Sequence, residues 1–275
     1  MIKNFAHLEE IMKNNQSKPT IILAGATDEH SLKALEQAKD LWGINYLADN
    51  YSAQDAVDLI KEGKGNALMK GGINTGDLLK AVVNKETGIG LGTLMSHIGV
   101  FECPAYDRLL FVTDGGMVPT PDLEQKAFIL KNALHFMHGL GYERPNAALI
   151  AAAEAVNPKL TETTDADALA KRAMSGEFGA CIAEGPISFD LAISEESARL
   201  KGFDSQICGK TDLMVVPNMV TGNVLGKSLM YMGNAVMAGC VLGAKVPIVL
   251  TSRGATTQEK MLSMALALSV NNALK

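Results

Sequence analysis

Apolar positions along the first ninety residues switch between two periods. Thr20–Ala24 (TIILA) is a continuous apolar run of strand length, whereas Leu32, Leu35, Ala38 and Leu41 recur at helical spacing from Ser31 to Leu41. The alternation repeats. Ile44–Ala48 predicts a second strand and Ser52–Lys61 a helix with Ser52 as its N-cap; Asn66–Met69 predicts a third strand and Thr75–Val83 a further helix. This strand–helix order implies a parallel sheet with right-handed crossovers. The segment Lys85–Gly92 (KETGIGLG) reads as a joint, its glycines giving the backbone freedom to turn.

Beyond the joint, Thr93–Phe101 and Leu109–Thr113 read as neighbouring strands separated by a turn at Pro104–Asp107. Pro121 and Asp122 open a helix that runs to about Leu140 and stops at Gly141. Strands are predicted at Ala147–Ala153, Phe189–Ile193 and Leu213–Val216, with a helix over Asp165–Met174. Asn223–Leu242 reads as one long helix, Val246–Thr251 as the last strand and Thr257–Leu274 as the last helix. The whole is an α/β chain in two lobes, built of mostly parallel sheets flanked by helices. Residues 1–90 plus 244–275 form one predicted lobe and 91–243 the other. Such a pair of lobes is expected to hold its ligand in the cleft, at the carboxyl ends of the strands.

Composition narrows the function classes. At 275 residues and 47% hydrophobic, the chain can bury a sizeable core. Its formal net charge of -5 is spread without a basic stripe, which argues against nucleic acid as a partner. The apolar stretch Ser228–Leu250 is interrupted by Asn234, Lys245 and Pro247, so it reads as buried structure and no membrane span is expected. Cys103, Cys181, Cys208 and Cys240 lack CxxC spacing, so no zinc site or disulfide framework is expected, and the beginning MIKNFAHLEEIMKNN has no apolar signal-peptide core. A cytoplasmic protein follows.

The final strand–turn–helix carries the strongest candidate chemistry. Ser252, Arg253 and Gly254 lie between an apolar strand and a helix start, where free N–H groups attract anions. Arg253 adds a guanidinium fork matched to phosphate oxygens, and Gly254 lets a ligand approach the backbone. Glu259 has two readings: a carboxylate facing that opening, or the last member of the capping box Thr256-Thr257-Gln258-Glu259. A weaker anion-binding shape is Met69–Thr75 (MKGGINT), with Lys70, Gly71 and Thr75 after a strand. It lacks P-loop spacing. Gly222 and Asn223 open a predicted helix where a phosphate or pantetheine group fits, or make an ordinary strand–helix connection. Asp114, before Gly115 and Gly116, either lines a cleft or forms a turn. His135 and His138 share a helix face without the carboxylate partners of a metal site, and His97 reads as a hydrogen-bonded core histidine.

Several of these segments, taken together and in order, resemble the phosphate acetyl/butyryltransferase family. The likeness runs through GPISFDLAIS (Gly185–Ser194) and VPNMVTGNVLGKSLMYMGNAVMAGCVLGAKVPIVLTSRG (Val216–Gly254). It continues more weakly in LMKGGINTGDLLKAV near residue 70 and LLFVTDGGMVPTPDLEQK near residue 115. The resemblance implies a two-domain fold akin to isocitrate and isopropylmalate dehydrogenases, usually in a homodimer. It implies the reaction acyl-CoA + phosphate ⇌ acyl phosphate + CoA, with coenzyme A as a substrate, no permanently bound cofactor and no metal. By position, Ser252 matches the serine thought to hold the thiol and Arg253 the arginine that binds phosphate or CoA. Glu259 stands where phosphate acetyltransferases commonly place an aspartate proposed as the base. That difference, with LTSRG and SMALALS around it, leans toward the butyryltransferase branch. A metal-dependent 2-hydroxy acid dehydrogenase would share the fold but needs an aspartate cluster that the sequence does not display. A silent CoA- or anion-binding regulator is the third class.

Overall fold

The computed structural model describes residues 1–252 and 254–270. The chain divides into two compact units, Ile2–Met95 with the chain from Met237 onward, and Ser96–Val236 with Met1.

The unit that starts at Ile2 begins with α1 (Phe5–Lys13), capped by the Asn4 side chain on the His7 N–H. The alternation then gives β1 (Thr20–Ala24), α2 (Glu29–Trp42), β2 (Asn45–Leu47), α3 (Ala53–Lys61), β3 (Ala67–Lys70) and α4 (Thr75–Val83). Local chemistry sets these boundaries. Ser52 and Asp55 form a reciprocal capping box at the start of α3, and Gly43 closes α2 in the left-handed conformation. β1 pairs in parallel with both β2 and β3.

The middle unit contains β4 (Ser96–Glu102), β5 (Leu109–Thr113), α5 (Leu123–Gly139), β6 (Asn146–Ile150), α6 (Thr161–Met174), β7 (Ile182–Ile187), α7 (Phe189–Ile193), α8 (Glu195–Lys201), β8 (Leu213–Val215) and α9 (Met219–Tyr231). Its strands lie in the order β4-β5-β8-β6-β7. The β4–β5 pair is antiparallel, as their short turn requires, and the remaining pairs are parallel. The chain then forms β9 (Val236–Leu242), β10 (Ile248–Val249) and α10 (Thr257–Val270). β10 inserts in parallel beside β3, which gives its unit the strand order β2-β1-β3-β10-β9. From Lys260 to Val270 every residue of α10 is buried, because the helix packs against α1, α2, β3 and β10.

Two predicted elements need correction. Phe189–Ile193 is the helix α7, with the Ala192 N–H bonded to the Ser188 carbonyl. A five-residue apolar run carries too little periodicity to separate a strand from a helical turn. The predicted helix Asn223–Leu242 is two elements: α9 stops at Tyr231, Asn234 adopts a positive φ of 53°, and β9 follows. The apolar residues on both sides of Gly233-Asn234 had masked that break. The helix also begins earlier than read, at Met219, with Asn218 accepting from the Thr221 N–H, so Gly222 and Asn223 lie one turn inside it. The last predicted helix is described to Val270; its continuation to Leu274 lies outside the described residues.

Candidate active site

Within the unit that contains α1 and α10, β1, β3 and β10 are adjacent parallel strands, so their carboxyl ends open on one edge. Each leads through a short loop into a helix: α2 capped by Asp28, α4 capped by Asn74 and α10 preceded by Thr256. Three helix starts therefore bring unsatisfied N–H groups and partial positive charge to the same edge. A pocket of ≈ 440 Å³ lies there, lined by Thr27, Asp28 and His30 from the first connection, residues 70–74 from the second, and Thr251, Ser252 and Lys260 from the third.

The two glycines of the second connection make the pocket possible. Gly71 donates to the Ala24 carbonyl at 2.9 Å and Gly72 to the Gly25 carbonyl at 2.7 Å. Any Cβ at position 71 would press into the Gly25 carbonyl oxygen and stand 3.0 Å from that of Ala24. Beside them the Lys70 ammonium donates to the carbonyls of Gly71 at 3.0 Å and Ile73 at 3.3 Å, which bends the lysine over its own loop.

At the third connection Ser252 is exposed, and its hydroxyl accepts from the Gly254 N–H at 3.3 Å. Arg253, the predicted anion-binding residue, lies outside the described residues. Glu259 completes the capping box: its Oε2 accepts from the Thr256 N–H at 2.6 Å, while the Thr256 hydroxyl accepts from the Glu259 N–H at 3.2 Å. Lys260, the next residue, is buried. Its ammonium donates to Thr251 Oγ1 at 3.1 Å and Ser31 Oγ at 3.3 Å and lies 3.5 Å from Asp28 Oδ2. Burial draws the Asp28 carboxyl upward, but the Ser31 hydroxyl, the Lys260 charge and the His30 N–H outweigh it and hold its pKa below the ordinary value.

Of the residues singled out by sequence, the pocket thus unites Lys70, Gly71 and Ser252. Thr75, Gly254 and Glu259 stand on the same connections but outside its lining. Asp114, Gly222 and Asn223 belong to the middle unit. Asp114 is buried and accepts from the N–H groups of Gly116, Met117 and Val118 at 2.8, 2.8 and 3.2 Å, so its carboxylate shapes the turn after β5. Gly222 is buried against Gly115, where a Cβ would meet the Gly115 Cα at 2.7 Å, while Asn223 is exposed. His97 is half-buried beside Gly116; burial lowers its pKa and Asp114 opposes the shift. His138 is engaged at the end of α5, with Nδ1 2.8 Å from the Tyr142 carbonyl oxygen. Among the described residues no group of three or more His, Cys, Asp or Glu gathers in metal-binding geometry.

Sequence reasoning missed Asp28, Thr251 and Lys260. Their signals were present but weak: an acidic residue just ahead of a helix, and a single lysine in an otherwise apolar helical run.

The family model described as Phosphate acetyl/butaryl transferase matches residues 46–268, which includes the second and third connections but not the first. The chain belongs to that family. This member of the phosphate acetyl/butaryl transferase family is 36% identical to the phosphate butyryltransferase of Clostridium acetobutylicum, over 97% of this chain and 98% of that one. It is 38% identical to the phosphate acetyltransferase of Thermotoga maritima, over 87% of this chain and 83% of that one. Among solved structures, a branched-chain phosphotransacylase from Enterococcus faecalis V583 matches with a TM-score of 0.82 at 31% identity, covering 92% of this chain and 99% of that one. The pocket at the strand ends therefore belongs to an acyltransferase fold.

Proposed function

We propose that the chain catalyses acyl-CoA + phosphate ⇌ acyl phosphate + CoA, with butyryl or branched short-chain acyl groups as substrates and acetyl as the alternative. The observation that carries this reading is the likeness to a phosphate butyryltransferase over nearly the whole of both chains. The pocket supports it chemically, since converging helix starts favour a phosphate dianion. Coenzyme A enters as a substrate. The four cysteines are free, which suits a reducing compartment, and a cytoplasmic homodimer completes the proposal.

In the direction that consumes acyl phosphate, the CoA sulfur attacks the acyl carbonyl carbon, the carbon–oxygen bond to phosphate breaks and phosphate leaves with the bonding pair. Ser252 is proposed to orient the thiol. Arg253 and the start of α10 are proposed to stabilise the leaving phosphate. Lys70, Gly71, Thr75 and Gly254 are proposed to bind the phosphoryl group, and Asp114, Gly222 and Asn223 to serve as substrate contacts of the middle unit. Glu259 is proposed to take the thiol proton. A carboxylate has about four lone-pair sites, so the bond from Thr256 to Oε2 does not bar a second role.

The test of the reaction is thiol release in phosphate buffer with acetyl-, butyryl- and isobutyryl-CoA. Release is expected with all three, faster with the four-carbon groups; no phosphate-dependent release from any of them would reject the reading. Glu259→Gln keeps a side chain able to cap α10 and removes the base. Its stability is expected to stay within about 0.5 kcal/mol of the parent, while kcat falls about a hundredfold. Near-normal turnover would confine Glu259 to capping.

A further inference from the structure

Lys260 sits where local preferences disfavour it. It occupies the first turn of α10, where the helix dipole repels a cation, and its ammonium is withdrawn from water. Such a placement persists when specific partners repay it. The ammonium reaches three of them in two neighbouring segments: Ser31 in α2 and Asp28 at its cap, and Thr251 beyond β10. Asp28 is held further by the Ser31 hydroxyl, which donates to the same Oδ2 that faces Lys260, and by the His30 N–H on Oδ1. Thr251 is the residue directly before Ser252, and Asp28, Thr251, Ser252 and Lys260 all line the pocket.

We infer that Lys260 is a positioning residue of the acyl-transfer site, paired with Asp28 so that it fixes Thr251 beside Ser252 and cancels a carboxylate where phosphate must enter. This rests on the proposed reaction. The reasoning has two separable parts. A carboxylate in the lining is an acceptor-only group that repels phosphate, and the adjacent ammonium compensates it. The bond to Thr251 Oγ1 is independent of that charge balance, because it ties the strand exit to α10 whatever the state of Asp28. One part therefore governs phosphate affinity and the other the geometry of turnover. Among the described residues of the lining the other lysine, Lys70, is engaged with the carbonyls of its own loop.

The variants Lys260→Met, Asp28→Asn and the double variant separate the two parts, and asparagine preserves the cap of α2. With the charge of Asp28 uncovered, Lys260→Met is expected to raise the KM for phosphate about tenfold and to lower kcat. The double variant is expected to return the KM to within about threefold of the parent while kcat stays low, because Thr251 still lacks its donor. Asp28→Asn alone is expected to lower the phosphate KM, and it answers the question should Lys260→Met fail to fold. Lys260→Met with parental KM and kcat, a raised KM that persists in the double variant, or Asp28→Asn without a lowered KM would each overturn the inference. Calorimetric titration with inorganic phosphate reads the same affinity ranking without turnover. A parent protein that releases no thiol would reject the acyl-transfer reading, and the titration would still judge the pair.

Discussion

Gly71→Ala is expected to destabilise the protein by about 3 kcal/mol and to abolish saturation by phosphate. The added methyl would collide with the Gly25 carbonyl oxygen and crowd that of Ala24. These are backbone atoms, so no rotamer change relieves the clash. The loops after β1 and β3 must part instead, which breaks the bonds from Gly71 to Ala24 and from Gly72 to Gly25. Both loops line the pocket, so the same displacement moves Asp28 and Lys70. Urea denaturation gives the first quantity and steady-state kinetics against phosphate the second. A variant with unchanged midpoint and unchanged phosphate saturation would show that the loops separate freely and that their close approach has no functional weight.

Lys126→Met is expected to cost about 3–5 kcal/mol. Lys126 on α5 and Asp165 on α6 form an ion pair of 2.6 Å, and both residues are buried. Removing the ammonium leaves the carboxylate withdrawn from water without its counter-charge, which is far more costly than the net worth of the intact pair. The double variant Lys126→Met with Asp165→Leu removes both charges and is expected to recover most of the loss. Equal destabilisation of the single and double variants would show that packing around the aliphatic stem of Lys126, not the stranded charge, sets the cost. The pair lies in the middle unit, so a selective loss there is also expected to release the turn that Asp114 organises after β5.

The contrast between these two positions shows how far the residues could be read unaided. Gly71 was legible in part: its place after a strand and before a helix marked it as an anion-binding shape, while its close approach to Gly25 and Ala24 emerged only from the fold. Lys126 was not, since a lysine in a helical pattern ordinarily faces water and nothing in its own segment identifies Asp165, 39 residues on. Glu259 lay between: the T-x-x-E spacing announced the capping box, and the structure shows that box closed.

Local information determined the alternating strands and helices of the first ninety residues, with the cap of α3 at Ser52, and beyond them the cap of α5 at Asp122. These depend on period, cap chemistry and helix ends, which are properties of a few consecutive residues. Short apolar segments escaped that logic: Phe189–Ile193 coils and Val236–Leu242 extends, because such runs satisfy either geometry until their neighbours choose. Tertiary structure alone decided that β10 inserts beside β3, that α10 is buried from Lys260 onward, and that Lys260 meets Asp28, more than 200 positions earlier in the chain. A buried charge is stable only where its partner waits, and the fold, not the adjoining sequence, supplies that partner.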